Sequence, residues 1–257
     1  MIRNANARSN RKEEGGKIIF VTGTDTGVGK TLLTALLLHH LRQSGCHALA
    51  MKPFCSGSLA DVNLLFDLQD GELSRAEINP FYFTEPVAPL VAARKQGWRI
   101  SLKGALKRIH AVRRRCDCLL IEGAGGVMVP LAEKIFVVDL IAALDCKLVI
   151  VARNKLGVIN HMLLTAKALS FSRTARVEVV LMGDKQSDLS ARTNQQMLAE
   201  LLVPTKVFNL PFLGSNANNV RAVKKNHRKI KKTLAQLSDS ASFGPFFSSR
   251  QTVSKNC

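Results

Sequence analysis

Between Phe20 and Thr31 the chain reads Phe-Val-Thr-Gly-Thr-Asp-Thr-Gly-Val-Gly-Lys-Thr, and no other stretch restricts its folding as strongly. An apolar run (Ile18, Ile19, Phe20, Val21) ends in a glycine-rich turn, and Lys30-Thr31 opens a leucine-rich segment of helical pattern. Strand, glycine loop and helix in that order are the parts of a phosphate-binding loop. The glycines allow backbone N–H groups around Gly27, Val28 and Gly29 to converge on an anion, and the helix N-terminus adds a positive dipole end. Lys30 is expected to reach the outer phosphates of a nucleotide and the Thr31 hydroxyl to bind Mg²⁺. The loop is a variant form: five residues, not four, separate Gly23 from Gly29, and Thr24 stands where the first glycine usually falls.

Apolar runs alternate with helical patterns through most of the length. Strands are expected at 17–22, 47–51, 116–122, 147–152, 176–182 and 206–209. Helices are expected at 30–44, 61–69, 101–115, 138–144, 160–170 and 188–202, with 80–89 irregular. Such alternation implies a three-layer α/β/α fold with a mostly parallel sheet, of the P-loop NTPase kind. Ligands of such sheets sit at the carboxyl ends of the strands, so the loops after Thr22, Met51, Ile121, Ala152 and Met182 are the ones that should carry chemistry.

Composition divides the chain of 257 residues into a polar N-terminal extension (1–16), a single α/β domain (17–216) and a basic, loosely patterned tail (217–257). The formal net charge is +18. The tail holds nine Lys/Arg against Asp239 alone, with 221–232 able to form a basic helix and 238–257 expected to be loose, and another nine fall between Arg94 and Arg115 with no acid among them. A field of that sign attracts nucleotides and other anions. No apolar run is long enough to span a bilayer, and residues 1–16 lack a targeting core, which points to a cytoplasmic protein. The six cysteines (46, 55, 116, 118, 146 and 257) have no metal-ligand spacing and suit a reducing compartment.

The candidate loops carry a consistent set of groups. After the second strand comes Lys52-Pro53-Phe54-Cys55-Ser56-Gly57, then Asp61, where a helix opens. After the central strand comes Glu122-Gly123-Ala124-Gly125-Gly126, a carboxylate followed by a glycine nest. Thr31, Asp61 and Glu122 together make an oxygen shell suited to Mg²⁺. A carboxylate at the end of a buried strand is costly without a cation beside it. Asp61 also suits a helix N-cap, as does Asn160.

With Asn79-Pro80, Phe83-Thr84-Glu85-Pro86 and Lys155-Leu-Gly-Val-Ile-Asn-His161, these strings fall in one order over residues 17–213 and resemble the dethiobiotin synthetase family. The resemblance implies ATP- and Mg²⁺-dependent ring closure of 7,8-diaminononanoate with CO₂. A carbamate and a carbamic–phosphoric anhydride are the implied intermediates. It implies Lys30, Lys52 and Thr26 as catalytic, Ser56 as a substrate ligand, and Leu156, Gly157 and Asn160 as a loop reaching the substrate of a partner in a homodimer. Pro211 and Asn216 would line the base pocket. The family's adenine-reading asparagine is replaced here by Gly183. A nucleic-acid-associated P-loop switch ATPase is the alternative that the basic clusters favour. Asp25 opposes it, because partitioning ATPases carry a lysine there and a carboxylate cannot make that residue's contacts to phosphate.

Overall fold

The computed structural model describes residues 15–169 and 176–239. Along the chain run β1 (Lys17–Gly23), α1 (Lys30–Gln43), β2 (Ala48–Met51), β3 (Phe54–Ser56), α2 (Ala60–Leu68), α3 (Arg75–Ile78), β4 (Phe81–Phe83), α4 (Pro89–Lys95) and α5 (Leu102–Arg113). There follow β5 (Cys118–Gly126), β6 (Pro130–Ala132), β7 (Ile135–Phe136), α6 (Val137–Ala142), β8 (Lys147–Arg153), α7 (Val158–Leu169), β9 (Arg176–Met182), a 3₁₀ turn (Leu189–Arg192), α8 (Asn194–Leu201), β10 (Lys206–Leu210) and α9 (Val220–Ser238). Six strands form one parallel sheet in the order β10-β9-β8-β1-β5-β2, the doubly wound arrangement expected from the alternation.

The central strands are buried on both faces, so they read as continuous Val/Ile/Leu runs rather than alternating ones. Helix α1 is buried on nearly every side, from Lys30 through Leu41, because the sheet covers one face and α9 another. A helix apolar all round needs such a second cover. Ser101 caps α5 by accepting from the Gly104 N–H at 3.1 Å, as its sequence position suggests.

Several boundaries differ from expectation. The stretch 80–89 is not irregular: Phe81–Phe83 pairs in parallel with Phe54–Ser56 as a separate two-stranded sheet, and Pro89 starts a helix. Asp61 lies inside α2, after Leu59 at the N-cap position, so it is no cap. Asn160 falls in the first turn of a helix that already begins at Val158. The expected helix 188–202 divides at Thr193 into a 3₁₀ turn and α8. The expected domain limit at 216 is moved most. Helix α9 buries Val223, Ile230, Leu234 and Leu237 against the core, so it belongs to the α/β unit despite its charge. Of the expected loose segment 238–257, Ser238 ends α9 and residues 240–257 lie outside the described residues, as do residues 1–14 of the extension 1–16.

Candidate active site

Strand register assembles the site. Met51 pairs with Ile121 and Val21 with Glu122, so the loop after β2, the glycine nest of β5 and the loop after β1 meet above one edge of the sheet. Lys52 follows Met51 directly and faces Glu122 across that junction. Its Nζ donates to Glu122 Oε1 at 2.9 Å and to Asp61 Oδ2. Thr31 Oγ1 donates to the same Glu122 oxygen at 2.7 Å. Asn79 Nδ2 donates to the Lys52 carbonyl at 2.8 Å and to that of Pro53 at 3.3 Å, which fixes the backbone carrying the lysine.

These neighbours set the charges. Burial alone would depress the Lys52 ammonium, but Glu122 and Asp61 outweigh it and hold its pKa well above the usual lysine value. Lys30 is lowered to about 8, chiefly by burial with added repulsion from Lys52, partly offset by Glu122, Asp25 and Asp61. Its Nζ rests on the Asp25 carbonyl at 2.6 Å.

Glu122 is only 1% exposed. One of its oxygens is satisfied by Lys52 and Thr31, so the cation that its burial demands is in the first place a lysine. The other oxygen, Oε2, is buried without a hydrogen-bond partner among the described residues. A buried, unpartnered carboxylate oxygen next to the Thr31 hydroxyl, with Asp61 across from it, is a donor set that fits Mg²⁺. Among the described residues no three His, Cys, Asp or Glu side chains cluster as a metal site, so the shell would be filled by phosphate oxygens and water.

Around this centre lies a cavity of about 610 Å³, lined by Thr26, Gly27, Gly29, Lys30, Thr31, Lys52, Ser56, Asp61, Glu122 and a wall from Pro86 to Pro89. Nearly all the expected catalytic and phosphate-loop residues therefore meet in one place. Val28 instead turns its side chain into the core. Pro211 and Asn216 do not line this cavity; Asn218, two residues further on, does. Leu156, Gly157 and Asn160 are exposed beyond it, and Leu156 is 79% exposed. A second hollow of about 240 Å³ lies on the other flank of the loop, between Thr24–Val28 and Arg153, Lys155, Val158 and His161. Arg153 and Asn218 escaped the sequence reading, although the loop after Ala152 was among those singled out.

At Gly183 an added Cβ would stand 2.8 Å from the Leu210 carbonyl oxygen and 2.9 Å from the Phe212 nitrogen. Backbone fills that space, with the Gly183 N–H donating to Leu210 O at 2.8 Å, so the absence of a side chain is built into the junction of β9 and β10.

Residues 17–236 match a sequence family described as an AAA domain, AAA_26, and that match takes in α9. The chain is 41% identical to the ATP-dependent dethiobiotin synthetase BioD of Bacillus licheniformis over 188 residues, 71% of this chain and 80% of that protein. It is 36% identical to the protein of the same name in Bacillus subtilis, over 76% of this chain and 84% of that one. The BioD of Anaeromyxobacter sp. (strain K) is 36% identical over 80% of this chain and 94% of its own length. The chain belongs to the dethiobiotin synthetase family. Among solved structures, the cobyrinic acid a,c-diamide synthase of Mycobacterium smegmatis aligns with TM-score 0.53 at 14% identity, over 91% of this chain and 99% of that one. The MinC:MinD cell division complex of Aquifex aeolicus aligns with TM-score 0.54 at 15% identity, over 84% and 96% of the two chains. At that identity the likeness establishes the P-loop fold and nothing finer.

Proposed function

We propose that this chain closes the ureido ring of dethiobiotin from 7,8-diaminononanoate, CO₂ and Mg-ATP in the cytoplasm, as a homodimer. The observation that carries the reading is the placing of Lys52 between Asp61 and Glu122 in the same cavity as Lys30 and Thr31. No protein nucleophile is required. One amine of the diamine takes up CO₂ to give a carbamate, whose oxygen attacks the γ-phosphorus while the bond to the ADP oxygen breaks. The second amine then attacks the carbamoyl carbon, closing the ring and expelling phosphate.

Catalysis here is positioning and charge neutralisation. Thr31, Asp61 and Glu122 would hold Mg²⁺, which offsets phosphate charge. Lys30 balances charge on the transferred phosphoryl group. Lys52, kept cationic by its two carboxylates, faces the carbamate. Ser56 Oγ, a buried hydroxyl with no hydrogen-bond partner among the described residues, is free to bond the substrate, as is Thr26.

The test is release of inorganic phosphate with Mg-ATP and bicarbonate, with and without the diamine. One dethiobiotin formed per phosphate, only when the diamine is present, is the expected result. ATP hydrolysis indifferent to the diamine would sink the proposal.

A further inference from the structure

We propose that Arg153 is a positioning residue for nucleotide binding: it clamps the phosphate loop from outside by holding the Gly27 carbonyl. This rests on reading the cavity as an ATP site. Arg153 is the last residue of β8, the strand that pairs with β1 and so ends beside the loop. Its guanidinium donates through Nε at 3.1 Å and Nη2 at 3.0 Å, both to the Gly27 oxygen. Its Nη1 donates to Asp184 Oδ2 at 3.3 Å. Two donors of a rigid planar group on one carbonyl define a direction in a way a lysine cannot.

The consequence follows from peptide geometry. In a trans peptide the C=O and the following N–H point in opposite directions. Drawing the Gly27 carbonyl toward Arg153 therefore turns the Val28 N–H away from Arg153, which lines the second hollow, whereas Lys30 lines the first and Gly27 borders both. Gly27 has φ +70° and Gly29 φ +104°, so without a restraint both peptide planes flanking Val28 are free to rotate at little steric cost. Arg153 also pairs in register with Met182, whose side chain would lie 3.1 Å from a Cβ at Gly29. The ends of β8 and β9 thus brace the loop at its two glycines, and Asp184 keeps the guanidinium from swinging away. Preorganised N–H donors bind phosphate without a reordering cost, so the clamp is worth binding energy although Arg153 need not touch the ligand.

The experiment measures equilibrium binding of a non-hydrolysable ATP analogue and of inorganic triphosphate, each with Mg²⁺, by calorimetry without diamine or bicarbonate. Arg153→Ala should weaken both by about tenfold, the scale of one charge-assisted hydrogen bond. Arg153→Lys should restore less than half of that loss on a logarithmic scale, and Asp184→Asn should weaken both by a few fold. In turnover, KM for ATP should rise while kcat and KM for the diamine hold. Arg153 is half exposed, so the fold should keep its melting temperature. Unchanged affinity in Arg153→Ala would overturn the clamp. So would a loss seen with the ATP analogue but not with triphosphate, which would place the effect on the nucleoside through Asp184. A wild-type protein that ignores the diamine would defeat the ring-closing reading and leave this binding result standing.

Discussion

Lys30 and Lys52 share one cavity, yet their surroundings drive them in opposite directions. Lys52 lies within bonding distance of two carboxylates and keeps its proton through any working pH. Lys30 touches only a carbonyl; burial first, and then Lys52 as a like charge, bring it down to about 8 against the opposing pull of Glu122. In the role proposed for it Lys30 must be cationic to receive triphosphate, which imposes an upper pH limit on capture of ATP. We expect kcat/KM for ATP, which reports the free enzyme, to fall as pH rises through about 8. kcat should hold to higher pH, because bound phosphate restores the proton. Stability moves the other way: the folded value lies below the unfolded 10.5, so between about 8 and 10.5 the unfolded chain holds more protons and this lysine's burial costs less as pH rises. Lost activity in that window therefore cannot come from destabilisation by this lysine, and a melting temperature measured over the same pH range separates the two. Glu122→Gln removes the largest opposing influence and should move the break to lower pH. A kcat/KM profile flat to pH 9.5 would show that Lys30 does not titrate in this role.

At the level of elements, α9 is where charge and packing point in different directions. Seven Lys/Arg between Arg221 and Lys232 lie on its exposed side, while Val223, Ile230, Leu234 and Leu237 are buried. Its dock on α1 includes His227, whose Nε2 lies 3.0 Å from His40 Nδ1, with His39 edge-on at 5.0 Å between ring centroids. A hydrogen bond between two imidazoles needs one of them neutral. All three rings are held below the ordinary histidine value by burial first, then by each other and by Lys224, Arg228 and Lys231. With folded values lowered, the unfolded chain binds more protons, so their contribution is intact above about 6.5 and is lost as pH falls through the lowered values. Hydrogen exchange at pH 5 should reveal α9 opening ahead of the sheet, with no such difference at pH 7.5. His227→Phe should flatten that dependence. Equal α9 protection at both pH values would refute it.

The same helix shows what sequence pattern could and could not reveal. β1, β8, β9 and α1 were readable because long apolar runs and the glycine loop signal themselves locally. The four core positions of α9 are diluted among cations, so 221–232 read as a basic helix within a tail and not as part of the core. β3 and β4 are three residues each, too short for a period, and only their pairing makes Phe81–Phe83 a strand. In the site, Lys30, Thr31, Lys52 and Glu122 stood out because each sits at a strand tip or in a motif. Arg153 did not, because its partner Gly27 is 126 residues away and the contact exists only once β8 lies beside β1.

For the whole molecule, the unfinished surface is apolar rather than charged. Leu156 and Leu189 are 79% and 82% exposed and are tied to one another's loop, the Leu156 N–H donating to Asp188 at 2.8 Å. Leu164 on α7 and Leu201 on α8, two helices that pack together, add to the exposed apolar surface. Side chains of this size left in water on neighbouring elements are where the proposed homodimer would close. They adjoin the loop carrying Gly157 and Asn160, which lies outside the cavity of its own protomer and so is available to a partner's. The groups proposed for phosphate, metal and carbamate all come from within one chain, so under the proposed function a monomer should still bind ATP, whereas recognition of the diamine should need two. Leu156→Glu combined with Leu189→Glu should give a monomer by light scattering, with ATP affinity within about threefold of wild type and diamine-dependent turnover reduced at least tenfold. Turnover of the wild type should likewise fall on dilution below the dissociation constant of the proposed dimer. Specific activity that is independent of concentration in a protein that scatters as a monomer would refute the shared site. Each cavity would then have to be completed by a segment of its own chain.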